Sequence, residues 1–335
     1  MSIFEESKSY RPFQYGWAVE AAQKHSIEMY WDIHQVNLQD DTQQYFSKNG
    51  LATQTVSHEQ NKNILDRTLC LFTEMDRTVG AGYTKLMAHV KNNEIRNMFL
   101  TFAAREVVHQ RAYALCAETF GFSDQDWIAF ADYVEMVDKL DVMSADMTPE
   151  GSSEELKTSV LLAQILLGEG IGLFAAFATL LNMCRHGILI GFNDVNEWSL
   201  KDEQEHVTNN IRALKEARKS LSELENSVLD RCILSFVDAY KKAEHKFIDL
   251  VYEMGGSEGM TAEEMKDYIT YLCDFREYQL ELRSMKDVGK NPLEWMEWVL
   301  SGSKHGNFFE KKITDYSHGG LPGKIDYSKY LHLAA

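Results

Sequence analysis

Two tetrads stand out for the chemistry their spacing allows: Glu106-Val107-Val108-His109 and Glu203-Gln204-Glu205-His206. On an α-helix, residues three apart share a face, so each tetrad sets a carboxylate beside an imidazole. Two such faces turned toward one another can hold a pair of metal ions. Tyr113 follows His109 by four residues and falls one turn further along the same face. A phenol next to metal ligands points to redox chemistry.

Two further acids are conspicuous because their surroundings are apolar. Leu65, Leu69, Phe72, Asp76, Val79, Tyr83, Leu86 and Val90 recur at spacings of three and four, which predicts a core-facing helix over 63–90 with Asp76 inside its stripe. A carboxylate there is expensive to bury without a cation. Glu74, about 200° around the helix, is the alternative first ligand, and the stripe favours Asp76. Glu169 is the single charge between Leu161 and Met183. Asp76, Glu106, His109, Glu169, Glu203 and His206 therefore form a set of four carboxylates and two imidazoles on four helices, which balances the charge of two divalent ions. Oxygen donors with two imidazoles suit iron or manganese, and the absence of cysteine argues against structural zinc. Fe/Fe is the first expectation, with Mn/Fe and Mn/Mn as alternatives.

The elements that must position these residues are helices. Further helices are predicted over 94–119, ending at Gly121, and over 124–140, 154–186, 194–221, 223–254 and 262–283. The last is started by Thr261 with Glu264 three residues on, a capping box. A shorter element begins at Asn291-Pro292. The stretch 154–186 is long and apolar enough to mimic a membrane span, yet Glu169, its neighbouring glycines and the Arg185-His186 end read as a helix buried in a bundle. After residue 302 the helical periodicity is lost, so the expected division is a helical domain over 1–302 and a flexible tail over 303–335.

Composition narrows the function. The chain has 335 residues with only four prolines and 44% apolar side chains, enough for one large all-α domain. Thirty-four basic against fifty-one acidic residues give a net charge of -17, which disfavours nucleic acid and anionic membrane surfaces. The chain opens with no charged start followed by an apolar run, so a soluble, cytoplasmic protein is expected. Five widely spaced cysteines within apolar patterns read as buried thiols.

On these motifs the chain resembles the small, radical-generating (β) subunit of class I ribonucleotide reductase. His109-Gln110-Arg111-Ala112-Tyr113 is similar to that family's His-x-Arg-x-Tyr, and Asp202-Glu203-Gln204-Glu205-His206 to its Asp-Glu-x-x-His; Asp76-Arg77-Thr78-Val79-Gly80 resembles its acid-x-x-Val-Gly. The resemblance implies a ferritin-like helical bundle with a dinuclear metal site between four core helices. It implies that Tyr113 or the metal pair stores an oxidising equivalent, and that Trp31, Asp202 and His109 form a hydrogen-bonded relay. The late segments Asn291-Pro292-Leu293-Glu294-Trp295 and Phe309 to Tyr316 also resemble the family, with Tyr316 as the candidate that passes the radical on, and Tyr327 and Tyr330 nearer the end. The implied partners are the large (α) subunit, docked by the C-terminal tail, and a second copy in a homodimer. The implied activity is that of a ribonucleoside-diphosphate reductase, complete only with the large subunit. The alternatives are a ferritin-like diiron or Mn/Fe oxidase, for which a substrate cavity beside the metals would be diagnostic, and an iron-storage protein. A purely structural bundle, with Arg105 and Arg111 pairing the acids, ranks last because burying such pairs gives little net stability.

Overall fold

The computed structural model describes residues 2–297, and every regular element among them is helical apart from one isolated bridge between Ser257 and Met260. The helices are α1 (Gly16–Gln23), α2 (Gln39–Phe46), α3 (His58–His89), α4 (Asn93–Thr119), α5 (Asp124–Ala131), α6 (Val134–Ser144), α7 (Glu154–Gly170), α8 (Phe174–Arg185), α9 (Phe192–Arg218), α10 (Glu223–Val251) and α11 (Ala262–Gln279). Tyr316, Tyr327, Tyr330 and the division at residue 302 lie outside the described residues.

Four helices close a ring in which α3 packs on α4, α4 on α9, α9 on α7 and α7 on α3. Each start is set by local chemistry. Ser57 Oγ accepts from the Gln60 amide (3.2 Å) at the head of α3, a turn before the predicted onset. Asn92 Oδ1 accepts from the amides of Glu94 (2.9 Å) and Ile95 (3.1 Å) at the head of α4. Reciprocal boxes, Ser222 with Glu225 and Thr261 with Glu264, start α10 and α11. Around the ring, α1 lies on α4, α8 packs against α9 and α3, and α10 covers α7 with α6 and α11 beside it.

Two predicted helices are each divided. The stretch 154–186 breaks into α7 and α8 at residues 171–173, where a Cβ on Gly172 would stand 2.8 Å from the Gly168 carbonyl oxygen. Buried Arg276 of α11 secures that break, its Nε donating to the Gly170 carbonyl (3.0 Å) and its guanidinium 5.2 Å from the Phe174 ring. The most apolar window of this stretch is 94% buried, as a bundle interior requires. The stretch 124–140 turns at Tyr133, whose extended backbone (ψ 133°) separates α5 from α6. The predicted ends of α9, α10 and α11 are each cut back by three or four residues. Among the described residues, the segment from Asn291 forms a 3-10 turn, Glu294–Met296. The two short N-terminal helices, α1 and α2, have no counterpart among the expected elements. All five cysteines are buried.

Candidate metal centre

Each wall of the ring sends acids or imidazoles to its middle: Asp76 from α3, Glu106 and His109 from α4, Glu169 from α7, Glu203 and His206 from α9. All six are 0–1% exposed. Their donor atoms fall into two groups, Asp76, Glu106, His109 and Glu203 in one, Glu106, Glu169, Glu203 and His206 in the other, with the atoms of each group within 4.8 Å of one another. Glu106 and Glu203 belong to both, as bridging carboxylates between two ions would. Glu74 goes elsewhere, its carboxylate held by Arg77 Nη2 at 2.6 Å.

Both imidazoles turn Nδ1 toward the carboxylates. His109 Nδ1 lies 3.1 Å from Glu203 and 3.5 Å from Glu106. His206 Nδ1 lies 3.1 Å from Glu169, 3.3 Å from Glu106 and 3.4 Å from Glu203. Asp76 Oδ2, both oxygens of Glu106, both oxygens of Glu203 and His109 Nδ1 have no hydrogen-bond partner among the described residues. Buried polar atoms are ordinarily satisfied, so this many converging orphans fit cations that complete them. The donor set is oxygen and imidazole nitrogen without sulfur, which suits hard divalent ions.

The electrostatics describe the same excess of negative charge. Burial, and then Glu106, push Asp76 well above the ordinary carboxylate range. Burial raises Glu169 to about 8 against the opposing pull of His206. Burial would lower the two imidazoles, but the facing carboxylates, Glu106 first for His109 and Glu169 first for His206, hold both well above their ordinary value. Glu203 is the exception: burial raises it, and the facing imidazoles of His109 and His206 more than offset this, leaving it at about 2. Protons thus take up charge that divalent ions would neutralise.

Outward from the ligands lies a ring of partners. Asp202 Oδ2 accepts from Trp31 Nε1 (2.7 Å), lies 3.1 Å from His109 Nε2 and 3.4 Å from Arg105 Nε. Trp31 stacks on His109 with centroids 5.7 Å apart and lies 5.4 Å from Trp198. Arg105 therefore meets Asp202 rather than the ligand acids, and Arg111 is exposed. Tyr113 is fully buried, stacked on Phe72 (4.1 Å, 6°) and edge-on to Phe192 (6.0 Å). Among the described residues its hydroxyl makes no well-formed hydrogen bond, and burial raises its pKa well above 10, with the nearby Ser199 hydroxyl opposing and Asp76 adding.

Several residues of the site escape a reading of the sequence. Tyr83 donates to Glu169 Oε2 (2.8 Å), and Asn210 Nδ2 donates to the same oxygen (3.0 Å). Their signal was present: Tyr83 lies in the α3 stripe, and Asn210 is four residues past His206. His25 has no such signal. It sits in the π-helical turn Lys24–Glu28, is 2% exposed, and places Nε2 2.7 Å from His206 Nε2.

A helical ring with paired carboxylates and imidazoles at its centre defines a ferritin-like protein with a dinuclear metal site. Residues 7–292 match the family model "Ribonucleotide reductase, small chain", and the chain belongs to that family, as the small subunit of ribonucleoside-diphosphate reductase. It is 27% identical over 340 residues to a probable ribonucleoside-diphosphate reductase small subunit of Invertebrate iridescent virus 3, covering 96% of this chain and 88% of that one. It is 23% identical over 277 residues to the ribonucleoside-diphosphate reductase subunit beta of Chlamydia pneumoniae, covering 78% of each. Among solved structures, the putative class I ribonucleotide reductase of Bacillus halodurans superposes with a TM-score of 0.71 at 17% identity, covering 85% of this chain and all of that one. The dimanganese(II)-NrdF of Streptococcus sanguinis does so with a TM-score of 0.69 at 16% identity, covering 86% and 98%. At those identities the superpositions speak to the fold.

Proposed function

We propose that Asp76, Glu106, His109, Glu169, Glu203 and His206 would hold two ions, Fe/Fe first and Mn/Fe or Mn/Mn otherwise, with Glu106 and Glu203 available to both. When bound, the pair supplies an oxidising equivalent after reaction with oxygen or a reduced oxygen species. This chain's residues store and deliver it. Tyr113 is the store, its ring held in a dry pocket where Phe72 and Phe192 keep water and reductants away. Trp31, Asp202 and His109 form the outlet. Asp202 holds His109 by its Nε2–H, leaving Nδ1 for a metal, and the same oxygen accepts the Trp31 indole proton.

Beyond Trp31 the equivalent passes to Tyr316 of the tail and on to the large subunit, which supplies the nucleotide site. The tail over 303–335 is the docking segment, and the setting is the cytoplasm. A second copy pairs as a homodimer; the exposed apolar residues Leu100 and Val107 on α4 support a face that a partner covers.

The observation that carries this reading is the single Asp202 oxygen shared by Trp31 and the imidazole of His109. The test is Trp31→Phe. Metal content and the Tyr113 radical, read by elemental analysis and paramagnetic resonance, should persist, while deoxyribonucleotide formation with the large subunit should fall by at least a hundredfold. A variant that still turns over at the wild-type rate would refute the relay.

A further inference from the structure

The two halves of the centre differ in what stands behind their imidazoles. Behind His109 is a carboxylate, Asp202. Behind His206 is another imidazole, His25, at 2.7 Å between Nε2 atoms, with the rings edge to face and centroids 4.6 Å apart. Two ring nitrogens at that distance share one proton, so one ring donates and the other accepts. A metal ion facing Glu106, Glu169 and Glu203 takes the Nδ1 lone pair of His206, so the neutral ring carries its proton on Nε2 and donates it to His25. His25 then accepts at Nε2 and bears its own proton on Nδ1.

That nitrogen faces Asp202 Oδ1 at 3.7 Å, and neither atom has a hydrogen-bond partner among the described residues. Arg105 fixes the arrangement from behind, its Nη2 donating to the His25 carbonyl (3.0 Å) while its Nε lies 3.4 Å from Asp202 Oδ2. Phe102 closes the other side of the His25 ring, edge-on at 5.1 Å. We infer that His25 is a positioning residue for the ion held by Glu106, Glu169, Glu203 and His206, fixing the tautomer and ring orientation of His206. Asp202 thus orients His109 by contact, and His25 orients His206. The inference rests on the proposed metal site and adds a residue that lies outside both tetrads and outside the Trp31 relay.

The test uses Mn(II) alone as probe and the full chain, with free and bound ion counted by paramagnetic resonance. Wild type should bind two ions. His25→Phe, which keeps a ring but no acceptor, should bind one ion with unchanged affinity and the second at least tenfold more weakly, within the range seen when outer partners of metal ligands are removed. His25→Gln, whose amide oxygen can accept in place of Nε2, should return both affinities to within threefold of wild type. The inference is overturned if His25→Phe binds both ions within threefold of wild type, if both sites weaken equally, or if His25→Gln is as weak as His25→Phe. Should His25→Phe lose its helical circular dichroism, His25→Asn against His25→Gln decides: the shorter amide should weaken the second ion alone, and equal affinities for the two variants would overturn the inference. A wild-type protein that binds no Mn(II) would instead strike the metal-site reading beneath it.

Discussion

Two of the places that bury charge completely, among the described residues, solve the problem differently. Between α6 and α10, Lys139 pairs with Glu244, both 0% exposed, with the ammonium also 4.1 Å from the Phe247 ring. Burial lowers the lysine and raises the glutamate to about 7, but each has its counter-charge in the chain. In the ring of α3, α4, α7 and α9, four carboxylates meet only two imidazoles, so the acids outnumber the groups that could balance them. A pair that neutralises itself belongs to the scaffold. A cluster that does not requires charge from outside the chain, and that deficit marks it as a site.

The contrast can be broken by removing one acid from each place. Glu244→Gln leaves a buried ammonium unpaired and should destabilise the protein by about 3–5 kcal/mol in urea unfolding, with or without metal, while two ions still bind. Asp76→Asn should do the reverse. Burial and Glu106 already favour its protonated carboxyl in the metal-free protein, so metal-free stability should change by less than about 1 kcal/mol, whereas bound metal should fall below two ions per chain by elemental analysis. A large loss of metal-free stability in Asp76→Asn would show the cluster to be scaffold after all.

Acidity sharpens the comparison further. Glu169 titrates near 4.5 when unfolded and near 8 in the metal-free fold, so between those values the folded state holds the extra proton. Its contribution is present below about 4.5 and is lost as pH rises to 8, and the raised imidazoles act in the same sense. The opposite behaviour of Glu203, at about 2, falls outside this window. Thermal midpoints of the metal-free protein should therefore decline from pH 5 to pH 8, while Mn(II) affinity over the same range rises as protons are displaced. The smallest of these effects is a shallower slope in Glu169→Gln than in wild type, since the raised imidazoles remain; a slope unchanged by that substitution would remove Glu169 as a cause.

The chemistry of this protein is written in its sequence more fully than its outline. The tetrads, Asp76 and Glu169 declare themselves because a charge inside an apolar period is visible without coordinates, and helix geometry alone says which charges share a face. Trp31 and Asp202 were reached only through the family resemblance, since an indole and an acid 171 positions apart carry no joint periodic signal. His25 was not reached at all. It lies in a short irregular turn, and its role depends on α1 packing against α4 and α9, a tertiary fact. The division of α7 from α8 was missed for a related reason: Gly172 is one of several glycines near Glu169, and only its closeness to the Gly168 carbonyl distinguishes it.

That divided stretch has a consequence for how the protein is made. Residues 154–185 leave the ribosome before α9, α10 and α11, the helices that go on to enclose them. At about 5–20 residues per second, the nascent chain presents this oily segment for on the order of ten seconds before its cover is synthesised. Holding factors that guard emerging chains therefore have their natural target here, at a surface that the finished molecule no longer displays.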